Sequence, residues 1–277
     1  MPSVTLHELL KPALDKGYAV AGLVCLGWED ALAYVQAAET VGCPLVLQAG
    51  PAARAHMPVP VIGPMLRYLA DQARVPVCVH LDHGKAVDEC VAAIDHGFTS
   101  LMFDGSALAL EDNIAQTHAV VEAARRHGLS VEGEVGFVGY ADGAASAVTS
   151  PHEAARFERE TGVDALAISV GNVHLQTEKS DGIDWQALAA IEHVTSLPLV
   201  LHGGSGISAS QRTELGRETS VCKFNIGTEL RMVFGEALHS SLRDQPNVFD
   251  RNRLLAPVTA PLQAATEKIL RELHQKL

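Results

Sequence analysis

The sequence predicts an α/β fold, a single (β/α)8 TIM barrel, on three observations. Eight short runs rich in β-branched and apolar residues recur along the 277-residue chain, amphipathic stretches alternate with them, and polar residues collect just past several of the runs. Near-continuous apolar strands indicate a parallel sheet covered on both faces, and eight βα units are the number that closes a barrel.

The predicted strands are 19–26, 44–49, 75–82, 100–104, 130–136, 165–171, 197–203 and 221–227. Between them, 29–41, 86–96, 113–127, 152–161 and 185–194 place apolar residues at three- and four-residue spacing, the period of a helix with one buried face. No linker, repeat or low-complexity segment divides the chain, so 1–277 is expected to form one domain. Its tail, 252–277, reads as a loop carrying Pro257 and Pro261 and then a helix from Leu262 that packs on the barrel or on a neighbouring subunit.

The composition is 47% hydrophobic and 19% charged, enough apolar content for a sizeable core. A formal net charge of −12 opposes nucleic acid and anionic membranes, which bind through Lys and Arg, so neither is an expected partner. Any phosphate ester must therefore be attracted by local backbone donors. Cys25, Cys43, Cys78, Cys90 and Cys222 are scattered without CxxC spacing and read as reduced core thiols. The start lacks the apolar region of a signal peptide, and a cytoplasmic location is expected.

Barrel active sites form at the C-terminal ends of the strands, which here read VCVHLDHG (77–84), LMFDGS (101–106), VEGEVG (131–136), ISVGNVH (168–174), LVLHGGSG (199–206) and KFNIGTE (223–229). His83, His174 and His202 follow strands three, six and seven, so three imidazoles can converge on one point, the ligand set of a catalytic zinc. Asp82 adjoins His83 but points elsewhere, which suits it to act as base in bond cleavage and acid in condensation. His80, two residues earlier on the strand, is expected to contact the pocket from behind the ligands. Glu132 and Glu134 point to one side of strand five, and Glu134, nearer its end, is the better additional or alternate metal ligand. Asp104 is an alternative hydrogen-bond acceptor to a ligand. The turns holding Gly203, Gly204 and Ser205, and Asn225, Ile226, Gly227 and Thr228, follow strands seven and eight, where barrels often bind phosphate.

These residues resemble the class II fructose-bisphosphate and tagatose-bisphosphate aldolase family: its LDH pair is found at 81–83, its GxxH segment at 171–174, its LHGxS segment at 201–205 and its N-x-x-T-E segment at 225–229. The match runs from about residue 17 to 268. The resemblance implies a lyase acting on a ketose phosphate, with Asp82 as proton donor and His83, His174 and His202 as ligands of one Zn2+. It implies Glu134 as an alternate divalent position and leaves room for a monovalent cation. It places Asp142 where the family's mobile loop carries a Glu that abstracts the C1 proton, and it suggests a homodimer or homotetramer.

The departures concern substrate. Leu175 stands where the family has Gly after the second histidine, with Lys179 nearby. AGLV (21–24) replaces PAFN, Ala49-Gly50-Pro51 replaces Ser/Thr-Pro-Gly, and Asp250-Arg251-Asn252 replaces DPR. Polar partners for sugar hydroxyls are thereby lost, so the acceptor aldehyde is expected to differ from that of fructose 1,6-bisphosphate. Two rivals stay open: a metal-dependent lyase or isomerase on a non-phosphorylated keto compound, and a non-catalytic barrel subunit.

Overall fold

The computed structural model describes residues 3–141, 143, 145–180 and 182–274. Its strands are β1 (Val20–Val24), β2 (Leu45–Ala49), β3 (Val77–Gly84), β4 (Ser100–Phe103), β5 (Ser130–Val135), β6 (Ala165–Ile168), β7 (Leu199–Leu201) and β8 (Val221–Ile226), closed in sequence order with every pair parallel. The helices are α1 (Leu6–Lys16), α2 (Trp28–Val41), α3 (Pro51–His56), α4 (Val59–Gln72), α5 (Val87–Ile94), α6 (Leu110–Arg125), α7 (Pro151–Thr161), α8 (Trp185–Glu192), α9 (Ala209–Glu218), α10 (Thr228–Asp244), α11 (Arg251–Leu255) and α12 (Thr259–Leu273). The eight-strand barrel expected from the sequence is the observed architecture. Among the described residues no helix is long and apolar enough to cross a membrane.

The local differences from expectation have physical reasons. β6 and β7 stop at Ile168 and Leu201, before the glycines that turn the chain away: Gly171 and Gly203 hold φ of 98° and 67°, which a strand cannot continue. The tail's expected loop is instead α11 and a 3-10 turn at Ala256–Val258, because Asp250 caps α11 by accepting from the Arg253 amide. Pro261 lies inside the first turn of α12, where its missing N–H costs nothing. α12 packs chiefly on α2, burying Leu262, Ile269, Leu270 and Leu273, so the tail lies on the barrel wall.

The barrel interior is layered. At the bottom, Val20, Val46, Cys78, Met102 and Val200 form an apolar cluster closed by Leu6, Leu9, Leu10 and Ala13 of α1. A capping box of Thr5 and Glu8 starts that helix and Gly17 ends it in a left-handed turn. Above lies a polar layer containing Gln48, His80, Glu132 and Lys223, all fully buried. A register shift between β7 and β8 lets both Cys222 and Lys223 serve the interior. The second, outer core lies between strands and helices, where Leu23, Leu47, Val79, Leu101, Phe103 and Phe224 are completely covered.

Gly63 in α4 is set by packing, since a Cβ there would sit 2.0 Å from the carbonyl oxygen of His96. Ala in mid-helix ordinarily gains about 1 kcal/mol over Gly. Here Gly63→Ala is expected to lose about 1–3 kcal/mol through overpacking, read as a lower midpoint in urea unfolding; an unchanged or raised midpoint would show that α4 is free to shift.

Candidate active site

Asp82 and His83 are adjacent, and on a regular strand they would face opposite sides. They reach one site because β3 bulges there: Leu81 pairs with Leu101 and Gly84 with Phe103, so the β3 side holds an extra residue. His83 takes φ 51°, left-handed backbone that costs a non-glycine residue about 1–2 kcal/mol. Arg54 of α3 clamps it. Its guanidinium donates to the carbonyl oxygens of Asp82 (2.6 Å) and His83 (3.1 Å), bonds Ala49 O, and is anchored by Glu89 at 3.0 Å.

The three histidines converge. Ring centroids lie 4.5 Å apart for His83 and His202, 5.3 Å for His83 and His174, and 5.6 Å for His174 and His202. Each offers a nitrogen within 4.8 Å of the others, and His83, Asp104 and Glu134 form a second such group. The two groups share His83. Asp104 accepts from His83 Nδ1 at 2.6 Å and also bonds Lys85 and Ser106. Glu134 Oε2 stands 3.8 Å from His83 Nδ1 and 3.7 Å from His202 Nδ1, with no hydrogen-bond partner of its own.

Below this rim, Glu132 accepts from His202 Nε2 at 3.1 Å and from Lys223 Nζ at 2.8 Å. Both members of the Glu132–Lys223 pair have no exposed surface. The bond to Nε2 leaves His202 Nδ1 buried, unpartnered and directed at the site. His80 lies in this lower layer, its Nδ1 on Ser100 Oγ at 2.9 Å, and it does not line the pocket as expected.

Burial and neighbouring charges set the protonation of the site. Burial pushes His83 down, but Asp82, Asp104 and Glu134 outweigh it and raise His83 to about 9. Burial, with the Asp104 charge beside it, pushes Glu134 up to about 8. Burial likewise raises Asp104, yet its bonds to His83, Lys85 and Ser106 hold it far below the carboxylate range. Burial and the positive His83 lower His174 to about 4 and His202 well below its ordinary value.

Over the metal-ligand candidates lies a pocket of about 300 Å3. Gly203, Ser205, Asn225, Gly227 and Thr228 line it; Gly204 and Ile226 do not, and Ile226 is wholly within the outer core. Gly203 must be glycine, because a Cβ would meet Val173 O at 2.2 Å. Ser205 Oγ accepts from the amides of Gly227 (3.2 Å) and Glu229 (3.3 Å) at the start of the 17-residue α10, the positive end of its dipole. Asn225 Nδ2 donates to Asp82 Oδ1 at 3.1 Å. Lys179 bonds Ser205 O and Glu229 Oε2, both at 2.7 Å, so its charge is balanced.

A family model described as class-II fructose-bisphosphate aldolase matches residues 4–276. The chain belongs to this family. A probable fructose-bisphosphate aldolase of Bacillus subtilis (strain 168) is 34% identical over 282 residues, spanning 98% of each chain. A 6-phospho-5-dehydro-2-deoxy-D-gluconate aldolase of Bacillus licheniformis is 34% identical over 278 residues, spanning 98% of this chain and 95% of the relative. Among solved structures, the YdjI aldolase from Escherichia coli K12 superposes with a TM-score of 0.84 at 27% identity over 99% of this chain and all of the other. This class II aldolase is thus a lyase on a TIM barrel, of a family that is generally zinc-dependent.

Its residues fit a zinc ion: two neutral imidazoles, a third beside carboxylates, and buried donors on His202 and Glu134 with no protein partner. Asp142 lies outside the described residues. Tyr140, two residues earlier, stacks on His174 at 5.0 Å and forms an isolated bridge with it. Tyr140, Lys85, Arg54 and Arg231 were not singled out from sequence. Lys85 follows the DHG motif directly and was legible; Arg54 and Arg231 sit in ordinary helical stretches without a local signal.

Zinc must displace the protons that His83 holds below about 9 and Glu134 below about 8. Apparent affinity should therefore rise with pH from 6 to 9, by about ten-fold per unit for each proton displaced. Chelator competition across that range checks it; a flat profile would contradict these protonation states.

Proposed function

We propose that this chain catalyses reversible aldol cleavage of a ketose phosphate, with dihydroxyacetone phosphate or a related ketone as the enediolate-forming half. The observation that carries the reading is Asp82 on the β3 bulge beside three converging imidazoles, in a pocket walled by the turns after β7 and β8. His83, His174 and His202 would hold the ion, with Glu134 as the alternate ligand and Asp104 orienting His83. Bound there, Zn2+ supplies Lewis acidity that polarises the ketone carbonyl and offsets charge on its oxygen.

The chain's own groups account for the proton movements. In cleavage the carbon–carbon bond breaks, its electron pair stays on the carbon next to the ketone, and Asp82 takes the hydroxyl proton of the departing carbon. In condensation Asp82 returns it. Asn225 holds one oxygen of that carboxylate, and Gly50 stands beside the other, where a Cβ would make ordinary contact at 3.4 Å. Asp142 is the proposed group that removes the C1 proton of the ketone half in condensation and returns it to the enediolate carbon in cleavage. Ser205, Thr228 and the Gly203 amide are the proposed phosphate cradle, with the positive end of α10 replacing a lysine.

The acceptor side departs from a polyol site. Val24, Leu26, Pro51, Ala52 and Leu175 line it, and none offers a side-chain hydrogen bond. Leu175 holds φ 60°, the backbone a glycine would adopt freely, so an exposed leucine is kept in the pocket wall at a conformational cost. One relative is named for a deoxygenated sugar acid, so an altered acceptor falls within what related chains are named for. The second reading, a carboxylate in place of the phosphate, is favoured by the neutralisation of Lys179 by Glu229; competition by inorganic phosphate separates the two.

Asp82→Ala should retain zinc while turnover falls by about 10^2–10^4, measured by metal analysis beside single-turnover kinetics. Zinc lost together with activity would make Asp82 structural. The purified Zn2+ enzyme is expected to cleave fructose 1,6-bisphosphate and tagatose 1,6-bisphosphate poorly; ordinary rates on either would overturn the altered acceptor.

A further inference from the structure

Two groups of metal-binding side chains meet at His83: His83, His174 and His202, and His83, Asp104 and Glu134, each with donor atoms within 4.8 Å of one another. By spacing alone, either could hold a cation. The second group already contains one. Lys85 Nζ donates to Asp104 Oδ2, the oxygen that also accepts from His83 Nδ1 at 2.6 Å. Asp104 Oδ1 accepts from the Ser106 amide at 3.1 Å and from Ser106 Oγ at 2.6 Å. With an ammonium, an amide and a hydroxyl all donating to it, this carboxylate has only acceptor roles, so the hydrogen it shares with His83 sits on Nδ1. His83 is then left with Nε2 for a metal, and a second ion would depend on Asp104 and Glu134.

The ammonium is delivered from a fixed backbone. The Lys85 amide donates to Glu89 Oε2 at 3.0 Å, while Glu89 Oε1 accepts from Arg54 Nε at 3.0 Å, so the residue that clamps β3 also anchors the start of this side chain. Lys85 runs along the metal pocket with 56% of its side chain exposed, yet its charged end meets a carboxylate that is 3% exposed. Glu134 feels the same charge, and its Oε2 is buried without a hydrogen-bond partner. Asp104 and Glu134 thus face one internal cation where two carboxylates would otherwise attract a divalent one.

We propose that Lys85 is a built-in cation that closes the Asp104–Glu134 pair to a second divalent ion, so that this enzyme works with one zinc per chain. The inference rests on the zinc-dependent reading above. It gives Lys85 a different part from that of a substrate-binding lysine, because its charge acts inside the site, on the carboxylate that orients His83.

The test starts from full-length enzyme brought to one Zn2+ per chain by metal analysis and titrates it with Mn2+, an ion suited to carboxylates that does not displace zinc from imidazoles. Free Mn2+ is read by electron paramagnetic resonance. Lys85→Met should bind Mn2+ at least about ten-fold more tightly than the wild type, and Lys85→Arg, which keeps the charge, should stay near the wild type. Anomalous scattering at the manganese edge from crystals of Lys85→Met should place the ion between Asp104 and Glu134. Equal Mn2+ affinity in the wild type and Lys85→Met, or an ion bound elsewhere, would overturn the proposal. Loss of the first zinc from Lys85→Met would overturn it too, by making Lys85 a support of the three-histidine site. A wild-type chain that takes up no zinc sinks the zinc reading and this inference with it, whereas one zinc with an unmoved Mn2+ titration sinks this inference alone.

Discussion

The site depends on the irregularity at the end of β3. A regular strand sends neighbouring side chains to opposite faces, so an Asp-His pair could supply the interior with one of its members only. The bulge between Leu81 and Gly84 brings both to the rim, and the left-handed backbone at His83 is the local cost. Arg54 sustains that conformation from outside the barrel by binding the two carbonyls that the bulge releases from the sheet. Conformational strain of this kind persists where the surroundings over-determine it, and here they do so next to the proposed chemistry.

Beneath the rim, a second constraint is electrostatic. A glutamate and a lysine with no exposed surface are costly to bury, and a pair that only stabilised the fold could be replaced by apolar side chains. Glu132 also accepts from His202, so the Glu132–Lys223 pair orients one imidazole and leaves its other nitrogen facing the site. Asp104 does the same for His83 from the opposite side. Each of the two histidines is thus aimed by a carboxylate of its own, and a divalent ion would take the place of the protons that His83 and Glu134 hold.

The acceptor side follows a different logic. On the proposed acceptor side Val24, Leu26 and Leu175 line the pocket with surfaces that cannot reward hydroxyls, and among the described residues the Nε of Arg231 has no partner. In the proposed reading, a polar centre with an apolar outer wall would change which substrate binds without touching how the bond is broken.

The sequence by itself determined the barrel, because eight apolar runs alternating with amphipathic stretches leave a parallel sheet few other ways to be covered. It also singled out the strand ends that the structure gathers at one rim, since Asp82, His83, His174, His202 and Glu134 each follow or end a run that is otherwise apolar. Only the tertiary structure decided how those groups meet. The β3 bulge, the burial of Ile226 in the outer core, the capture of Lys179 by Glu229, the descent of His80 into the lower layer and the lack of a partner at Arg231 Nε among the described residues all depend on residues far apart in the chain. Periodicity reports which face a residue takes, whereas register, pairing and the absence of a partner are set by contacts across the fold.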